Sequence, residues 1–132
     1  MVDVFISYSH QDRAAVDKLA SCLESMGISV WRDQAIRLGA NWMQEIEQAL
    51  NDTKVFVFCL SPNFLASDWA QYEIGVALSR SREVGVRVVP VLLHDVLVPS
   101  MLDRFCYIDA RQLGAKQIAS LIRNAVSSSD GI

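Results

Sequence analysis

The stretch KVFVFCL, residues 54–60, carries apolar side chains at every position after its lysine. A strand with one wetted face alternates apolar and polar residues, so an unbroken run predicts a strand covered on both faces. Helices packed above and below a sheet supply that cover. The expectation is therefore a mostly parallel α/β architecture with residues 54–60 at its centre.

The flanking segments fit the same scheme. Val2 to Tyr8 is β-branched and aromatic, and the polar break SHQD separates it from Val16, Leu19, Ala20, Leu23 and Met26, which share one helical face. Asp12 is expected to cap that helix, and Gly27 to end it in a left-handed conformation. Ile28 to Trp31 reads as a second strand. The following RDQAIRLGAN has neither strand nor helix periodicity and is expected to be a long loop, a common place for function in a compact domain. Asn41 should cap the next helix, with Gln44 reaching back to it and Trp42, Met43, Ile46, Ala49 and Leu50 forming its apolar stripe.

After the central strand come a helix containing Glu73, the run VRVVPVLL, a weak strand near Phe105 to Ile108, and a last helix with Ile118, Leu121, Ile122 and Val126. Pro90 donates no hydrogen bond to a ladder, which places its strand close to the sheet's margin. Right-handed βαβ crossovers then give a flavodoxin-like three-layer sandwich, with a five-stranded mostly parallel sheet in the order 2-1-3-4-5 and helices on both faces. One domain is expected over residues 1–127, with residues 128–132 as a fraying tail. Ligands of such sheets bind beyond the carboxyl ends of the strands, between the first and third. Tyr8, Ser9 and His10, then Arg32 and Asp33, then Ser61 stand at those ends.

Composition narrows the chemistry. The chain has 132 residues, 52% of them hydrophobic, enough for a core without disulfides or a structural metal. A net charge of -3 with scattered lysines and arginines gives no footprint for nucleic acid or an anionic membrane surface. Three cysteines, Cys22, Cys59 and Cys106, lie in apolar runs and suit buried thiols in a reducing, cytoplasmic setting. MVDVFISY reads as a strand rather than a basic leader, and no apolar run is long enough to span a bilayer, so neither secretion nor anchoring by this segment is expected.

Standard phosphate-binding loops are missing, since SYSHQDRA stands where a GxGxxG would follow the first strand. A phospho-receiver needs acids at the ends of the first and third strands, where this chain has Tyr8-Ser9 and Ser61. His10 and His94 have no partner at metal-ligand spacing, so no metal site is expected. No GxSxG elbow supports a Ser-His-Asp triad.

Glu73 stands out on its helix. At about 100° per residue, Ala70, Ile74, Ala77 and Leu78 cluster toward the sheet, while Glu73 lies at the stripe's border, one turn from Trp69. Spacing alone leaves two readings open: a surface acid near a tryptophan, or an acid whose ionisation is tuned by its surroundings.

Four segments, DVFISYSHQD, GISVWRDQAIRLGANWMQEIEQAL, FVFCLSPNFLASDWAQYE and VVPVLL, together resemble a TIR (Toll/interleukin-1 receptor) domain, in the family's order and over nearly the whole chain. The long loop then corresponds to the family's BB loop. Some TIR domains are self-associating scaffolds, and others cleave NAD+ at the nicotinamide-ribose bond, some cyclising the product. The SYSHQD start resembles the bacterial type, which implies immune or NAD-depletion signalling.

In the catalytic class a glutamate in a Trp-x-x-x-Glu context carries the reaction, and Trp69 and Glu73 match it. The resemblance implies that Glu73 is catalytic, with Trp69, Tyr8, Ser9, His10 and Asp33 contacting NAD+ as substrate and no separate cofactor. Some relatives have arginine where Ser9 and His10 stand, and ordinary loop chemistry is the competing reading for these two. Trp31 reads as core, and Trp42 as core or as cover for the site. Leu38 and Gly39 match the loop tip that packs against a neighbouring molecule in TIR assemblies, so self-association, contact with other TIR domains and activity that rises with protein concentration are also implied.

Overall fold

A computed structural model of the chain describes residues 2–32, 52–66, 68–102 and 105–130. Among these residues five strands, β1 (Val2–Ser7), β2 (Val30–Arg32), β3 (Thr53–Leu60), β4 (Arg87–Leu92) and β5 (Ile108–Asp109), form one sheet in the order β2-β1-β3-β4-β5, and each of their pairings is parallel. Among the described residues four α-helices accompany them: α1 (Arg13–Ser25), α2 (Pro62–Leu65), α3 (Asp68–Val84) and α4 (Ala115–Asp130). The fold class and strand order are those the sequence implied. The helix expected from Asn41, with Trp42, lies outside the described residues.

β3 is the pivot of the sheet. In register, Phe5 of β1 lies opposite Phe56 and Ile6 opposite Val57, while Phe56 and Val57 face Val88 and Val89 of β4 on the other side. Because strand side chains alternate, the run sorts itself into two faces. Val55, Val57 and Cys59 join Val4, Ile6, Val16, Leu19, Leu23, Ile118 and Ile122 in one core, where α1 and α4 pack on the sheet and on each other. Phe56, Phe58 and Leu60 join Phe5, Phe64, Ile74, Ala77 and Leu92 in a second core under α2 and α3. Small branched side chains thus meet the α1–α4 layer, and aromatic ones fill the opposite layer.

The aromatic layer runs from the margin inward. Phe5 stacks on Trp31 with ring centroids 4.9 Å apart and meets Phe56 edge-on at 6.2 Å. Trp31 itself is only partly buried, capping this core from the side rather than lying inside it.

Several expectations move when the chain is folded. Pro90 sits one strand in from the margin, as expected. Its tolerance has a local reason: β5 pairs with β4 at Val91 and Leu92 only, so among the described residues no ladder on that side asks Pro90 for an N–H. Leu121, placed on the buried stripe of the last helix, is 46% exposed, and Ala119 takes the buried position. That helix runs to Asp130, into the stretch expected to fray. Of the three cysteines only Cys59 is buried; Cys22 is half-buried and Cys106 exposed, because Cys106 lies in the loop before the two-residue β5. Gly27 adopts φ 82°, and the N–H of Ile28 returns to the carbonyl of Leu23, closing α1 in the expected left-handed way.

At the amino end of the sheet, Asp3 and Ser29 exchange hydrogen bonds between β1 and the turn before β2, and Lys54 lies 3.4 Å from Asp3. Burial works to raise the Asp3 carboxyl, but the Ser29 hydrogen bonds and Lys54 together hold it below the usual 3.8. A carboxyl depressed in the folded state contributes fully above its unfolded value, and the contribution disappears as pH falls through the folded one. Asp3→Asn is therefore expected to lower stability at neutral pH and to reduce the acid-side decline below about pH 4, read from urea unfolding as a function of pH. Phe5→Ala, which removes the ring that touches both Trp31 and Phe56, is expected to cost about 3–5 kcal/mol in the same assay.

Candidate functional site

β2 lies beside β1 on one side and β4 beside β3 on the other, so the connections leaving β1 and β3 diverge between these two strands. That divergence opens a crevice beyond the carboxyl ends of the strands. Three loops meet there.

The first follows β1. Tyr8 is 6% exposed and packs into the core under α1, so its ring forms a wall rather than a free contact. Ser9 takes an extended conformation and caps a 3-10 turn at His10–Asp12, its hydroxyl accepting from the N–H of Gln11 and its carbonyl from the N–H of Asp12 at 2.9 Å. His10 is exposed on that turn.

The turn delivers Asp12 to the crevice. It occupies the position before α1, as expected, but makes no capping bond there. Its side chain is 7% exposed, and its oxygens point across the sheet instead. Oδ2 accepts a 2.6 Å hydrogen bond from the hydroxyl of Ser61, the residue just after β3. Such a short O–H···O contact is characteristic of a charge-assisted bond. Ser61 is itself fully buried, and the same hydroxyl accepts from the N–H of Phe64 at 3.2 Å, starting α2 with Pro62 in its first turn. Oδ1 of Asp12 lies 3.4 Å from Nε2 of His94, two residues past β4.

One buried carboxylate thus joins the ends of β1, β3 and β4. Ser61, Asp12 and His94 do not form a hydrolase triad, because the acid stands between the serine and the imidazole and Ser61 donates to Asp12 rather than to a base.

The loop bearing His94 is held from outside as well. Arg111 reaches Asp95 at 3.3 Å and grips Asp109, the last residue of β5, at 2.6 Å. The Arg111 guanidinium pulls the Asp109 carboxyl down to about 2. On the opposite flank Asp17 of α1 pairs with Arg32, the final residue of β2. Arg32 is the last described residue before the segment that holds Asp33, Leu38 and Gly39, and those three residues lie outside the described residues.

Trp69 and Glu73 belong to α3, four residues apart in its first two turns, where the helix starts from the carboxyl end of the sheet. Their side chains are outside the description. Ile74 and Ala77 are fully buried against the aromatic core, as the helical projection required. The loops therefore bring Tyr8 and Ser9 together with Asp12, Ser61 and His94. The last three escaped the sequence reading as a group. Their signals were present: a serine three residues before Asp12, a Ser-Pro pair closing the apolar strand, and a histidine just beyond VRVVPVLL.

The family model of the TIR domain matches residues 4–123. The chain belongs to the TIR domain family. Among proteins of known name, this TIR domain is 29% identical over 103 residues to the 2' cyclic ADP-D-ribose synthase AbTIR of Acinetobacter baumannii, covering 76% of this chain and 38% of the relative. It is also 29% identical over 113 residues to the NAD(+) hydrolase TirS of Staphylococcus aureus, covering 78% of this chain and 40% of that protein. The chain thus spans well under half of these relatives' lengths. Among solved structures it superposes on the TIR domain of the Toll-related receptor TRR-2 from Hydra magnipapillata with a TM-score of 0.75 and 23% identity, over 94% of this chain and 100% of that one.

If the Asp12–Ser61 bond fastens β1 to β3, removing its donor leaves a buried carboxylate oxygen unpaired and uncaps α2. Ser61→Ala is expected to cost about 2–3 kcal/mol in urea unfolding, and a loss under about 0.5 kcal/mol would show that the bridge does not hold the loops together.

Proposed function

We propose that this TIR domain cleaves NAD+ at the nicotinamide-ribose bond, with Glu73 as the catalytic carboxylate. The observation that carries the reading is the Trp69–Glu73 pair, one turn apart at the crevice end of α3. The names of the two relatives, a cyclic ADP-ribose synthase and an NAD+ hydrolase, support the same substrate class.

The chemistry asks little of the protein beyond placement. As the bond between the ribose anomeric carbon and the pyridinium nitrogen breaks, its electron pair stays with nicotinamide, which leaves as a neutral molecule. No acid is needed for departure. Positive charge builds on the sugar, and a fixed carboxylate stabilises it. Trp69 supplies a flat apolar wall that excludes water. Hydrolysis follows if water attacks the sugar and releases a proton, and cyclisation follows if a nucleophile of the same molecule attacks instead. Tyr8, Ser9, His10 and Asp33 line the substrate in this reading, and Leu38 and Gly39 carry self-association, including contacts with other TIR domains. NAD+ consumption of this kind would serve immune signalling inside a cell.

Nicotinamide release from NAD+ by the purified protein is the direct test, measured in a crowding agent to favour self-association. Wild type is expected to turn NAD+ over, and Glu73→Gln to lose at least about a hundredfold in kcat, as the removal of a group stabilising transition-state charge does. Equal turnover by the two proteins would remove Glu73 from the mechanism. Self-association without NAD+ loss would make the domain a scaffold.

A further inference from the structure

The bridge that fastens the loops also fixes the chemistry of one exposed ring. A carboxylate oxygen only accepts hydrogen bonds, so the 3.4 Å approach of His94 Nε2 to Asp12 Oδ1 requires the proton on Nε2. In the neutral imidazole, Nδ1 is then an acceptor. Asp12 is in turn fixed through its other oxygen by Ser61, and both residues are buried, so the orientation of the ring is imposed from the interior. The His94 side chain is nevertheless 56% exposed, and Nδ1 makes no hydrogen bond to another described residue. A buried serine and a buried carboxylate therefore turn Nδ1 of this ring outward at the carboxyl ends of β1, β3 and β4, and in the neutral ring it is the one acceptor presented there.

We propose that His94 is a substrate-binding residue, and that its Nδ1 accepts a hydrogen bond from a sugar hydroxyl of the bound ligand. The chemistry selects the partner. An acceptor pairs with an O–H or N–H donor and has nothing to offer a phosphate oxygen. The Asp12 carboxylate directly behind the ring also disfavours an anion at this point. In the proposed function, on which the identity of the ligand rests, the donor is a ribose hydroxyl of NAD+. The arrangement parallels the way a second group sets the tautomer and direction of a functional histidine. It differs from a general base, because no proton is transferred.

Two sets of measurements test this. In the 15N spectrum of the histidine-labelled chain, His94 is expected to show Nε2 protonated and Nδ1 bare. Adding ADP-ribose should shift the Nδ1 resonance, and inorganic pyrophosphate should leave it in place. The opposite tautomer, or an equal response to pyrophosphate, would overturn the proposal.

In NAD+ turnover, His94→Ala should raise KM about five- to tenfold with kcat within about twofold, the signature of one lost uniform hydrogen bond. His94→Gln, whose amide keeps both a donor for Asp12 and an acceptor for the ligand, should restore KM to within about twofold of wild type. His94→Gln keeps the donor for Asp12 and should unfold within about 2 °C of wild type, whereas His94→Ala leaves Asp12 Oδ1 without that donor and is expected to unfold several degrees lower while remaining folded at the assay temperature. A wild-type KM in His94→Ala would overturn the assignment while leaving NAD+ cleavage standing. A wild-type chain that binds ADP-ribose through His94 without releasing nicotinamide would sink the cleavage reaction and leave His94 as a ligand contact.

Discussion

A charge taken into a protein interior has to be met by hydrogen bonds, or the fold around it gives way. Asp12 is nearly buried at the carboxyl edge of this sheet, and its two oxygens are met from two directions, by Ser61 behind β3 and His94 beyond β4. Neither partner is near Asp12 in sequence. The acid can be accommodated only if the ends of β1, β3 and β4 are brought to fixed distances. The crevice where ligands of this fold bind therefore takes its geometry from a hydrogen-bonded bridge, in addition to the ladders beneath it.

Those ladders set the platform. β3 has apolar contacts on both faces and hydrogen-bonded neighbours on both edges, so it has no freedom to shift register without exposing one aromatic or one branched row. Ser61 follows directly from that strand and inherits its rigidity. Its hydroxyl serves two acceptor and donor roles at once, capping α2 and holding Asp12. The short α2 then turns the chain into α3, so the position of Trp69 and Glu73 on that helix is set relative to the same bridge.

Local patterns revealed what local physics determines. The apolar run at 54–60 placed the central strand, the spacing of Val16, Leu19, Ala20 and Leu23 placed the face of α1, and Gly27 marked its end, because each depends on side chains a few residues apart. That Trp69 and Glu73 share one helix, a turn apart, was legible for the same reason. Asp12 was read as a helix cap because the chain immediately after it is helical. Its partners lie 49 and 82 residues away, and nothing local distinguishes a cap from a bridge. Leu121 and Cys106 failed in a related way. Apolar character permits burial, but the packing of α4 and the brevity of β5 decided against it.

The bridge also bears on which acid can serve the proposed chemistry. Stabilising a sugar cation requires a carboxylate whose charge is not already committed. Both oxygens of Asp12 are engaged by protein donors, and a ligand could recruit it only by breaking the link between strands. Asp109 is gripped by Arg111, and Asp17 by Arg32. Glu73 lies six residues into α3, beyond the first turn where a helix dipole would hold an anion in place. A carboxylate at that position owes its usefulness to what the crevice brings against it. In the proposed reaction, an acceptor at His94 and an acid at Glu73 would divide the work accordingly: the first would orient sugar hydroxyls, and the second would answer the positive charge when it forms.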